Sequence, residues 1–119
     1  ADGDPGAIVD RFIADYFAYE ARPENAVLAA EITAEAMRSP QIVGPYLDNR
    51  RTLIGALAAV LRRMPEGATP PCPADPVRLA GTLLDVIGAA ASRVAFEDAA
   101  TQETTCATTR QVAARLLGG

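Results

Sequence analysis

Four prolines, Pro5, Pro23, Pro40 and Pro76, each stand at the head of a run of helix-forming residues, and they fix where this chain can be helical. Proline lacks an N–H and has a preset φ. It therefore suits the first helical position, where the N–H would be unbonded, and it stops a helix arriving from the other side. The steps Arg22-Pro23 and Ser39-Pro40 predict a short helix followed at once by a longer amphipathic one, with Ser39 placed to cap the second. Asp4-Pro5 and Asp75-Pro76 mark two more starts. The whole pattern predicts five helices, over about 5–21, 23–38, 40–64, 76–96 and 102–117, the last closed by Gly118-Gly119. Residues 65–73 hold four prolines in nine positions, which predicts a loop. Pro45, near the start of the third helix, is expected to kink its first turns.

Composition agrees with an all-α chain. The apolar half of the sequence is mostly Ala, Leu, Val and Ile, with three Phe, three Tyr and no Trp. Ala- and Leu-rich sequence favours helix, and no stretch alternates with the period of a strand. At 119 residues the chain is expected to form one domain, 1–119.

Charge and chemistry-bearing residues exclude several functions. The net charge is −4, and the eleven basic residues, all Arg, are spread among fifteen acids. The doublets Arg50-Arg51 and Arg62-Arg63 read as solvated helix faces and not as the basic stripe that displaces counterions from nucleic acid. There is no His, and Cys72 and Cys106 fit neither metal-ligand spacing nor a disulfide framework. No metal, no cofactor and no catalytic residue is expected. Glu31 and Glu35, one turn apart on an Ala-rich helix, read as exposed carboxylates and not as an acid/base pair. No apolar run is long enough to span a bilayer, and the acidic, polar start is unlike a signal peptide. A cytoplasmic protein with no membrane partner is expected.

Helical spacing sorts the side chains into faces. In the first helix Ile8, Phe12, Tyr16 and Tyr19 share one face, flanked by Val9, Ile13 and Phe17. Four of the six aromatic residues thus lie in one helix, either as the wall of a ligand pocket or as ordinary core. The third helix carries Ile42, Tyr46, Asn49, Leu53, Ala56 and Val60 on one side, and Val43, Leu47, Ile54, Leu57 and Leu61 on the other. So broad an apolar arc predicts a central helix. Asn49 on that arc is either a satisfied core amide or a ligand contact. The expected pocket is apolar, lined by Phe12, Tyr16, Tyr19, Met37, Tyr46, Asn49, Leu53 and Ile87, with Tyr16 and Asn49 as polar anchors.

The fourth helix holds Val77, Ala80, Leu84, Ile87, Ala91 and Val94 at 3-4-3-4-3 spacing, the seam of a helical bundle. Leu79, Leu83, Val86 and Ala90 form a second apolar line. The small residues from Gly88 to Ser92 would admit a closely packed helix. The fifth helix is rich in Thr, a mediocre helix former, and would depend on packing. A homodimer is expected through Val77, Leu84, Gly88, Ala91 and Val94 with Thr105, Thr109, Val112 and Leu116.

Arg22-Pro23-Glu24 opening a helix of small and aliphatic residues, closed by Glu35-Ala36-Met37-Arg38-Ser39-Pro40, resembles the regulatory half of TetR-type transcriptional repressors. The order and lengths of the elements extend the resemblance over nearly all 119 residues, although its motifs are loose. It implies an antiparallel helical bundle that binds an effector and dimerises through its last two helices. It also implies a helix-turn-helix DNA reader upstream of Ala1, lost from this chain, through which alone DNA would be bound. The effector expected from the pocket is small and apolar or aromatic. The alternative is a stand-alone helical dimerisation or interaction protein without an effector. An enzyme fits least, since the parts of an active site are missing.

Overall fold

The structure, a computed structural model, describes residues 4–64 and 75–117. Its five helices are α1 (Pro5–Glu20), α2 (Pro23–Ala36), α3 (Pro40–Leu61), α4 (Pro76–Val94) and α5 (Ala99–Leu116). The expected loop at 65–73, with Cys72, and the closing Gly118-Gly119 lie outside the described residues. Among those residues there is no strand, and no helix is long and apolar enough to cross a membrane.

Each of the first four helices starts on its proline, and the caps follow local chemistry. Asp4 Oδ2 accepts from Ala7 N at 3.1 Å, and Asp75 Oδ1 accepts from Val77 N at 2.8 Å. Ser39 does not cap α3. Its hydroxyl donates to Gln41 Oε1 at 3.0 Å, so proline alone sets that start. Pro45 sits inside α3 without ending it. α5 begins three residues earlier than the spacing predicts, because Asp98 Oδ1 accepts from Thr101 N at 2.7 Å and draws Ala99 and Ala100 into the helix. Gln102 Nε2 then reaches back to the carbonyls of Ala95 and Glu97, tying the tight α4–α5 corner.

The core lies among α1, the second half of α3, α4 and α5. Val9, Ile13, Phe17, Leu57, Ala58, Leu61, Ala80, Leu83, Ile87, Ala91, Val94, Ala113 and Leu117 form one cluster. Three expectations change here. The inward line of α1 is Val9, Ile13 and Phe17, which pack into the core cluster, and not the tyrosine line. Tyr19 is 56% exposed. The third helix is central only at its end: Ile42, Leu47 and Leu53 are exposed, because α2 offers mainly alanines to cover them. Finally, four of the nine residues expected at a subunit interface lie inside the single chain. Leu84, Ala91, Val94 and Thr109 are buried within the single chain, so they are closed to a partner. Val77, Val112 and Leu116 are exposed, and Gly88 and Thr105 are half-buried.

α1 and α5 are also joined at the surface. Arg110 Nε donates to Asp10 Oδ1 at 2.8 Å and its Nη2 to the second carboxylate oxygen. The guanidinium holds the Asp10 carboxyl below its ordinary value, chiefly by hydrogen bonding.

Candidate functional site

α2 is the thin wall of the molecule. It buries only Ala26 and Ala36, while α4 buries six residues. Small side chains facing α3 and α4 leave space, and that space is an open cleft of about 770 Å³. The end of α1 contributes Tyr16, Tyr19 and Glu20. α2 contributes alanines with Ile32 and Thr33, and Met37 follows at its end. α3 adds Tyr46, Asn49, Arg50 and Leu53, and α4 adds Leu84, Asp85, Gly88, Ala89 and Ser92, with Phe96 just beyond its end. Met37 and Phe96 stand at the rim, 83% and 69% exposed.

Six of the eight residues expected to meet a ligand line this one space: Tyr16, Tyr19, Met37, Tyr46, Asn49 and Leu53. Phe12 does not. It packs against the core and meets Tyr16 edge-on, with ring centroids 5.9 Å apart. Ile87 is completely buried on the inward side of α4 and cannot touch a ligand. Asn49 is exposed, so it is not a core amide. Leu84 and Gly88, expected at a dimer interface, line the cleft instead.

Two glycine-dependent and charge-dependent features shape the floor. A Cβ on Gly88 would stand 3.3 Å from Tyr16 Oη, so the missing side chain is what lets the hydroxyl lie against α4. Beside it, Arg50 Nη2 on α3 pairs with Asp85 Oδ1 on α4 at 2.7 Å. Burial raises the Tyr16 hydroxyl above its ordinary value, Glu20, Tyr46 and Tyr19 raise it further, and Arg50 opposes them.

Glu20 is the residue that sequence reasoning missed. It is 4% exposed, and its Oε2 is buried without a hydrogen-bond partner. Burial raises its carboxyl above the ordinary value. Its position was readable: Val9, Ile13, Phe17 and Glu20 follow 4-4-3 spacing, so an acid occupies the next inward place on the core line. Buried carboxylates are nearly always paired, which makes this orphan informative.

A second, smaller space of about 140 Å³ lies between α1 and α5, edged by Gly6, Asp10, Arg110 and Leu117. Its size suits water or a small group and not a drug-sized ligand. Among the described residues no three metal-ligating side chains cluster. Compared with known protein families, with curated proteins and with solved structures, the chain matches none.

Proposed function

We propose that this chain is the effector-binding and dimerisation domain of a TetR-type transcriptional repressor, acting in the cytoplasm. The observation that carries the reading is the cleft of about 770 Å³ among α1, α2, α3 and α4. Its volume lies in the range of small-molecule sites, its exposed walls are mainly apolar, and polar groups from α1, α3 and α4 converge in it. The sequence pattern of 22–40 supports the same reading. A binding role fits better than catalysis, since the sequence has no His.

In this mechanism a small molecule enters between α2 and α4 and favours one arrangement of the two subunits. That arrangement sets how paired DNA readers upstream of Ala1 meet successive major grooves. Such control requires different ligand affinities in the two arrangements. The dimer would use α4 and α5, where Val77, Val86, Val112 and Leu116 are exposed. The chain itself, with its net charge of −4, does not bind DNA.

The reading is tested by the reading frame upstream of Ala1, by light scattering and by gel shift. A helix-turn-helix segment upstream, a dimer at micromolar concentration and no shift of DNA by the 119 residues are the expected results. A monomer, or a frame without such a segment, defeats it. A stand-alone interaction protein is the second reading, favoured by the exposed Val27 and Leu28 of α2, which lie outside the cleft lining. Ligand binding in the cleft separates the two.

A further inference from the structure

An unpaired carboxylate inside a ligand-sized cleft specifies a ligand. Three charged residues line the space: Glu20, Asp85 and Arg50. Arg50 is committed to Asp85 at 2.7 Å, which leaves Glu20 as the one negative charge without an answer there. A buried carboxylate is costly in this state, and a cation that brings hydrogen-bond donors removes the cost. A neutral hydroxyl would fill the lone pair and leave the charge. Tyr16, Tyr19 and Tyr46 line the same cleft, and an aromatic ring favours positive charge at its face. α2 supplies the apolar wall and no ionisable group.

Resting on the effector reading, we propose that the ligand of this cleft is an organic cation, an amine carried on an apolar or aromatic body, with Glu20 as its counter-charge. The ammonium group pairs with the Glu20 carboxylate, beside the floor formed by Tyr16 and α4. The apolar body lies along the alanines and Ile32 of α2, towards Met37 and Phe96 at the rim. Asp85 is held by Arg50 and contributes little. The other groups that share the cleft with Glu20 are the hydroxyls of Tyr16, Tyr19 and Tyr46, with Arg50 and Asp85 paired to each other.

The experiment compares three probes that share a ring system and differ in charge: naphthylethylamine, naphthylethanol and naphthylacetate. Their binding to the chain at neutral pH is followed by naphthyl fluorescence. The amine is expected to bind about ten-fold or more tightly than the alcohol, with the acetate weakest. Glu20→Gln is expected to erase the amine's advantage and leave the alcohol's affinity within about two-fold. Should that variant fail to fold, the unaltered chain serves. Lowering the pH until Glu20 is protonated must weaken the amine while the alcohol is unaffected. Equal binding of amine and alcohol overturns the cation and leaves the effector reading standing. So does an amine preference that survives both Glu20→Gln and acid. Binding of none of the three overturns both.

Discussion

α4 and α2 are both built largely from Ala and aliphatic residues, yet they do opposite things. α4 buries Ala80, Leu83, Leu84, Ile87, Ala91 and Val94, a stripe of large and small side chains that interlocks with α1, α3 and α5. α2 buries two alanines and leaves Val27, Leu28 and Ile32 exposed. The difference lies in which sizes face inward. Leu and Ile turned to neighbours fill the interior to crystal-like density, whereas Ala turned to neighbours leaves a gap. The first arrangement yields a core, the second a ligand-sized cleft. α4 thus carries most of the packing, while α2 closes one side of a cleft that α4 also lines.

That division is most open to attack at matched truncations. Ile87→Ala should cost about 2–5 kcal/mol, because the side chain is fully buried and leaves a cavity. Ile32→Ala on α2 should cost about 0.5 kcal/mol. Urea melts of the two variants check the contrast, and similar losses would break it. Glu20→Gln comes next, with a gain of about 1–3 kcal/mol from removing a buried unpaired charge. Its sign follows from burial raising the folded carboxyl: the penalty is present above the folded value and absent below the ordinary carboxyl value of 4.5. The variant should therefore melt higher at neutral pH and match the unaltered chain in acid. A gain independent of pH would mean that charge is not the cause.

Gly55→Ala tests the outer side of α3, where an added Cβ meets nothing within 4 Å. It should stabilise the chain by about 0.5–1 kcal/mol through helix propensity and leave ligand binding unchanged. Smallest of all is Asp10→Asn, at the α1–α5 surface. Asp10 is held below its ordinary value, so its contribution is present above 3.8 and lost as pH falls through the lowered folded value. The difference between variant and parent in thermal melts should be slight at neutral pH, fade in acid and shrink in high salt.

The helix boundaries were legible because proline and cap chemistry act over a few residues. Asp98 escaped because its cap precedes two alanines instead of a proline. Burial was less legible, since apolar spacing tells which side of a helix avoids water and not what covers it. Ala91 and Val94 read as a subunit seam for that reason, though α4 spends them on its own chain's core. In α1 the tyrosines drew attention by size, yet the smaller Val9 and Ile13 face inward. Glu20 was hidden by the habit of assigning acids to solvent, although its register continues the core line. Tyr16, Tyr46 and Leu53 could be placed on inward arcs, but their convergence on one cleft depends on α2 being too slight to fill it.

The extended residues before Pro23 and Pro40 have a mechanical consequence. Arg22 and Ser39 hold ψ near 115°, at 116° and 115°, so helical hydrogen bonding is broken at both ends of α2. Neither α1 nor α3 can lend α2 a turn or absorb one from it, because a helix cannot propagate through those steps. A push on the wall of α2 is therefore not dissipated by winding or unwinding across its joints. It should instead shift α2 as a unit between its two corners.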